Sequence, residues 1–282
     1  TSASASNTSV GAYSLDANTT GSSNTGLGYG TLSANTTANS NTAVGTSAMV
    51  ANTTGTHNVA VGNNALDANT TGNFNTSLGS NSLTSNNGSY NVALGYETLE
   101  TNSSGNYNTA LGMRALEDNT TANDNVAVGF AALQKNTTGT QNVAVGTLAV
   151  DANTTGSYTT GAGYAALSAN TTGAENTAFG RIALQDNTTG ARNTAVGSGA
   201  LENNTTANNN TAVGRDALKE NTTGTQNVAV GYGALDANTT ADNNTAVGYG
   251  ALSASTTANE SVAVGAFALT AATAGAQVAV GH

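Results

Sequence analysis

NVAVGYGALDANTTADN, residues 227–243, decides the fold, because nearly every segment before and after it is a variant of this stretch. The glycine that closes each NTAVG-type segment falls at 11, 28, 45, 62, 79, 95, 112, 129, 146, 163, 180, 197, 214, 231, 248, 265 and 281. The step is constant at seventeen, and drops by one only between Gly79 and Gly95 and between Gly265 and Gly281. A short period held along a whole chain marks a solenoid, in which each unit is too small to bury a face alone and is completed by its neighbours. The period predicts an all-β chain: one parallel β-solenoid, or β-roll, of about seventeen coils over residues 1–282. It reads as one continuous repeat domain, with no separate cap, stalk or membrane anchor.

With the closing glycine as phase zero, phase minus three is Thr or Val in every coil, minus two is Ala, Ser or Gly, and minus one is nearly always Val or Leu. Alternation of β-branched and very small residues is the period-two signature of a short strand. Phase plus three is small, and plus four is Leu in all but two of its coils, where Met49 and Val150 replace it. A single column with volume-conserving changes suits a narrow, stacked interior. On this reading the minus-one Val and the plus-four Leu point into the coil, and the minus-two Ala column forms a flat outer face.

Phases plus seven to plus ten read Asn-Thr-Thr-Gly or Asn-Thr-Thr-Ala, as at Asn52, Asn136 and Asn221. Asn and Gly tolerate left-handed backbone and bond their own turn, so this is the corner that reverses the chain. The variants Ser85–Gly88 and Asn102–Gly105, the first one residue short, fit a turn, where length changes are tolerated. A second Asn column at minus four precedes each strand, and stacked Asn side chains bond from coil to coil as they do in cross-β ladders. A helix is the rival for the ALxxN half, but six residues between a glycine and a corner are too few to be stable. At a strand separation of about 4.8 Å, some seventeen coils predict a rod of roughly 80 Å.

Trp, Pro and Cys are absent and only 8% of residues are charged, so order must come from repetition rather than from a mixed globular core. Without Cys there is no disulfide, thiolate or zinc-finger chemistry. A net charge of -10 with six Lys and Arg argues against nucleic acid or an anionic membrane surface as partner. Residues 262–281, VAVGAFALTAATAGAQVAVG, have the length of a membrane span but keep the repeat phase, so they read as terminal coils and no membrane span is expected. The chain begins at Thr1 without Met, which suits a removed leader or an excerpt of a longer fibre. Neither TSASAS at the start nor QVAVGH at the end supplies a covering element, and Thr1, Ser6, Val278, Val280 and His282 are assigned to a subunit-end interface on that ground.

At residues 227–235, 244–252 and 261–269 (NVAVGYGAL, NTAVGYGAL, SVAVGAFAL) the sequence resembles the head repeats of trimeric autotransporter adhesins and related bacterial and phage fibre repeats. The resemblance covers the strand, its glycine and the following Ala in nearly every coil. It implies a left-handed parallel β-roll, usually three chains side by side, exposed on a cell or particle surface and used for attachment. The repeat here is longer than that family's, the extra length being the Asn-Thr-Thr corner.

Several columns carry candidate chemistry. The corners at Asn18, Asn35, Asn52, Asn69, Asn119, Asn136, Asn153, Asn170, Asn187, Asn204, Asn221 and Asn238, together with Asn102-Ser-Ser and Asn87-Gly-Ser, fit the N-glycosylation acceptor pattern. The same residues also follow from turn formation alone. Thr columns raise ice binding, although such faces need two Thr on one side of a flat strand. Asp and Glu before the corner, as at Asp16, Asp67, Glu100 and Asp236, suggest calcium, but calcium needs six to eight converging oxygens and the sequence reads rather as solvated acids. Phe74, Tyr90 and Tyr107 share one phase in three consecutive coils and form a candidate aromatic contact row; Tyr29, Tyr96, Phe130, Tyr164, Tyr232 and Tyr249 follow the glycine. His57 and His282 read as isolated. No catalytic or metal set can be assembled and no cofactor is expected.

The sequence therefore predicts a non-enzymatic extracellular or cell-surface fibre or filament subunit, structural or adhesive, assembled as a homo-oligomer end to end or as a lateral trimer. Glycans or other surface ligands are the expected contacts. A trimeric adhesin head and an ice-binding solenoid are the alternatives.

Overall fold

The structure, a computed structural model, describes residues 6–272 and 275–282. All regular elements among them are strands of three residues, and every pairing between them is parallel. No helix among these residues is long and apolar enough to cross a membrane. The chain forms two compact units, residues 1–141 and 142–282. The first carries β1 (Thr8–Val10) to β8 (Val126–Val128), and the second β9 (Val143–Val145) to β17 (Val278–Val280), each strand pairing with its sequence neighbours within the unit. The register never slips: each residue pairs with the one at the same phase of the adjacent coil, as Thr194 with Thr211 and Ala195 with Ala212. This is the all-β parallel solenoid that the period predicts.

The facing of the strands is the reverse of the expectation. The minus-two alanines are fully buried, as Ala43, Ala110, Ala178 and Ala246 show, whereas the minus-one residues stand outside, Leu94 43% and Val196 37% exposed. Minus three faces outward with minus one, since the two lie two residues apart on one strand. The cause is the width of the coil. The plus-four Leu lies fully buried in nearly every coil and fills the interior, so only a methyl fits opposite it. The Gly161 coil makes the limit visible: a Cβ there would stand 2.5 Å from Val150 Cγ2, so the β-branched substitute at plus four coincides with a glycine at minus two.

The closing glycine has two reasons to be invariant. Gly180 has φ +137°, and a Cβ on it would meet the Gly197 carbonyl oxygen at 2.5 Å. The plus-four residue adopts the left-handed backbone even as Leu116 (φ 52°) or Val150 (φ 53°). That conformation is costly for a residue with a Cβ, and persists because the surroundings fix it. Leu116 N–H donates to Ala132 of the next coil at 3.0 Å, and its side chain is wholly enclosed.

One Leu and a few Ala per coil make a thin apolar core, so the buried polar columns matter. In nearly every coil the corner Asn donates from Nδ2 to Oδ1 of the corner Asn one coil earlier and to the carbonyl three residues on. For Asn187 these distances are 2.8 Å to Asn170 and 2.9 Å to Gly190. The minus-four Asn grips the following coil at two points: Asn41 Oδ1 accepts from Asn58 N–H at 3.0 Å, and its Nδ2 donates to the Gly55 carbonyl at 2.8 Å. A third ladder runs through the first corner Thr, whose hydroxyl donates to the carbonyl of its copy one coil on, as Thr188 to Thr205 at 3.0 Å. Buried polar groups need partners, and repetition supplies the same partner wherever the next coil keeps the Asn.

Candidate functional site

The acceptor asparagines are the first candidates, and the fold takes most of them out of reach. Asn35, Asn52, Asn69, Asn102, Asn119, Asn136, Asn153, Asn170, Asn187, Asn204, Asn221 and Asn238 are all 0% exposed. Their Nδ2, the atom a glycan would occupy, points into the coil and donates there, as at Asn119 and Asn221. A sugar at that atom would remove a buried donor and demand space that does not exist, so in the folded coil this column is structural. Asn18 is half-buried, and its Nδ2 donates to the Gly21 carbonyl at 3.0 Å. Asn87 is the exception: it is exposed, and its Oδ1 accepts from Thr70.

The aromatic residues of the proposed row stack on one another, and the stack is one residue longer than its sequence reading. Phe74, Tyr90 and Tyr107 stack nearly parallel with centroids 5.1 and 5.0 Å apart, and His57 continues the stack at 4.8 Å from Phe74. The reading of His57 as isolated is thus corrected. It lies one repeat before Phe74, so its phase alone places it in the column. All four residues have φ between 56 and 61°, which turns this phase outward, and the three aromatic ones are 47–58% exposed. Because the rings cover one another's faces, the row presents mainly edges.

A second aromatic column follows the glycine. Tyr232 and Tyr249 stack at 5.3 Å, with the Arg215 guanidinium 5.7 Å from the Tyr232 ring. Two edge-to-face corners also occur: Tyr13 against Tyr29, centroids 5.5 Å and planes 82° apart, and Phe267 against Tyr249, 5.0 Å and 76°. Each corner borders a shallow notch, of about 330 Å³ beside Tyr29 and about 180 Å³ beside Tyr249.

Among the described residues, one group of carboxylates comes close enough to hold a metal, Glu97, Glu100 and Glu117. Two of its three carboxylates already have partners. Arg114 Nε lies 2.9 Å from Glu97 and 3.9 Å from Glu117, and Gln134 donates to Glu117. Hydrogen bonding from Tyr96 and Arg114 holds the Glu97 carboxyl below the usual carboxylate range, while burial and then repulsion from Glu97 and Glu117 raise that of Glu100. With two of the three carboxylates engaged by Arg114 and Gln134, this is a partly neutralised surface cluster that falls short of the six to eight converging oxygens of a calcium cage.

Of the residues assigned to a subunit end, Thr1 lies outside the described residues. Ser6 and His282 are exposed, and Val278 and Val280, on the outer face of β17, are 74% and 79% exposed. His282 meets the Phe267 ring edge-on at 6.1 Å. Compared with models of known families and with curated proteins, the sequence finds no match.

Proposed function

We propose that the chain is a non-enzymatic, extracellular structural or adhesive element of a fibre, which works by displaying the same outer surface many times over. The observation that carries this reading is the constancy of the two outward columns of the strand. Within each unit the minus-three side chain, Thr or Val, and the minus-one side chain, mostly Val or Leu, recur in unbroken register from coil to coil. A contact too weak to matter once becomes strong when repeated, because each engagement raises the effective concentration of the next. The outward minus-one column, with Leu78, Leu94, Val213 and Val247 each 37–43% exposed, also suits lateral packing of further copies, as the resemblance to adhesin heads implies. Electron microscopy of native material, with immunogold labelling and intact mass on the same sample, tests the proposal. Labelled surface fibres support it; labelling confined to the cell interior overturns it.

A second reading draws on the corrected facing. Minus-three Thr and minus-one Val now share the outer face, most regularly at Thr194/Val196 and Thr211/Val213, which are adjacent strands in register. Regular methyl and hydroxyl rows of this kind suit ordered water, and thermal hysteresis of the purified chain decides for or against ice binding.

A further inference from the structure

The two notches beside the aromatic corners share a set of four residues. Residues 15–34 read LDANTTGSSNTGLGYGTLSA and residues 235–254 read LDANTTADNNTAVGYGALSA. In each, a Tyr at plus one and a Gly at plus two are followed by a Ser at plus five, with an Asp at plus five of the coil before. The structure brings these four together, Tyr29, Gly30, Ser33 and Asp16 in one unit and Tyr249, Gly250, Ser253 and Asp236 in the other. An aromatic ring at the plus-two phase completes each corner, Tyr13 from the coil before and Phe267 from the coil after.

The glycines create the depression. Gly30, at φ +66°, has nothing within 4 Å of the place its Cβ would take, so its notch is open. A Cβ on Gly250 would stand 2.9 Å from the Phe267 ring, so there the missing side chain lets the ring settle onto the backbone. The same phase carries Asn64, Asn81, Glu97 and Arg114 elsewhere, all with positive φ, so the fold itself does not require glycine here.

We infer that each notch is a subsite for one pyranose ring of a glycan. The apolar C–H face of the sugar lies on the exposed tyrosine or phenylalanine ring, and its hydroxyls bond the Asp carboxylate and the Ser hydroxyl. In the first notch a ring set perpendicular to its neighbour offers a face that a stacked row does not; in the second Tyr249 is already stacked on Tyr232, and the exposed Phe267 ring, set perpendicular to it, supplies the face. A small concave site with an apolar wall and two or three convergent polar groups is the usual form of a ligand site, and these volumes suit a single ring rather than a chain. Asp236 turns one carboxylate oxygen to the second notch, Oδ2 lying 3.7 Å from the place a Cβ on the lining Gly233 would take. A flat aromatic ligand would leave the Asp and Ser unused. A quaternary ammonium would leave the Ser unused.

This assignment rests on the display reading and names the class of ligand displayed to. Saturation-transfer NMR on the full chain tests it, with the methyl glycosides of glucose, galactose, mannose and N-acetylglucosamine as probes and choline as the competing chemistry. At least one glycoside is expected to receive transfer at its ring C–H protons. The double variant Gly30→Asn with Gly233→Asn plugs the notches with a side chain already found at this phase, Gly233 being the glycine that lines the second notch away from the Phe267 ring. Tyr29→Ser with Tyr249→Ser and Phe267→Ser removes the stacking faces, serine being found at these phases at Ser80, Ser198 and Ser47. Each is expected to lower the transfer at least fivefold with an unchanged melting curve. Where the asparagine variant melts early, the serine variant decides. No transfer to any glycoside, transfer to choline alone, or transfer that survives loss of these rings overturns the inference. The outcome is separable from the fibre proposal, because surface labelling does not depend on the notches.

Discussion

Replacing one corner asparagine tests whether the buried amide ladder holds the coils together. In Asn187→Ala, three side-chain bonds disappear: Nδ2 to Asn170 Oδ1 and to the Gly190 carbonyl, and Oδ1 from Asn204 Nδ2 at 2.8 Å. The losses are unequal. The Gly190 carbonyl keeps a partner in Asn176 Nδ2 at 2.7 Å, and Asn204 still donates to Ala207 at 3.2 Å. What remains orphaned is the Asn170 Oδ1 and one hydrogen of Asn204, both in fully buried residues. At roughly 1–3 kcal/mol for each buried unsatisfied group, the variant loses roughly 2–6 kcal/mol, with about 4 as the central value. The exposed neighbour substitution Thr189→Ala serves as control and stays within about 0.5 kcal/mol. Because repeat arrays depart from two-state behaviour, guanidinium unfolding is paired with amide exchange of Thr188 and Thr205, whose N–H groups bond the adjacent coil. Exchange is expected to accelerate there first. A loss under about 1 kcal/mol, with exchange at these amides unchanged, refutes the idea that the ladder is structural.

Where Ser255 replaces the corner Asn, its Oγ and the Asn238 Oδ1 are both buried and unpartnered, so Ser255→Asn extends the ladder and is expected to stabilise by about 1 kcal/mol or more in guanidinium titration. Ala178→Val overfills the interior and costs roughly 1–3 kcal/mol, whereas Val196→Ala on the outer face costs under about 1 kcal/mol; the opposite order in thermal melts restores the discarded facing. Burial raises the Asp67 carboxyl above its unfolded value, so the folded chain holds the extra proton between the two values. Stability therefore falls as pH rises through that window, and the full penalty stands above it. Asp67→Asn should stabilise at neutral pH and flatten this slope in pH-dependent melts. After expression in a glycosylating eukaryotic host, peptide mapping of folded material should find sugar at Asn87 and none at Asn119 or Asn187; occupancy at either buried site contradicts the packing described.

The period, the parallel register and the corner are legible in the sequence because a solenoid forces each residue to meet its own copy, so phase determines neighbourhood. Facing is harder to read. In a strand of three residues, alternation says only that the middle differs from the ends, and the greater hydrophobicity of Val and Leu points the wrong way. The signal that does decide it is variance in volume. At minus two nothing larger than Ala or Ser ever occurs, which marks a steric ceiling, whereas minus one accepts Ala162 and Phe179 in adjacent coils, a range that only an outer face tolerates.

The same test separates the columns that build the coil from those free to carry function. Corner Asn, minus-four Asn, minus-two Ala and the closing Gly vary little, and each is buried or sterically enclosed. The plus-one and minus-five phases vary from Ala to Tyr and Arg and lie on the outside, and plus two varies as widely, exposed at Phe267 and buried where it is small, as at Ala131 and Ala165. Recognition has to be written in those phases, because elsewhere a changed side chain costs the fold. The recurrence of one variable combination, Tyr-Gly with a Ser four residues after the Tyr and an Asp one coil earlier, in both units is therefore more informative than the invariant Asn-Thr-Thr, although the latter dominates the sequence by eye. In a repeat protein the frequent motif reports the scaffold, and the specific surface is found where coils depart from their consensus in the same way twice.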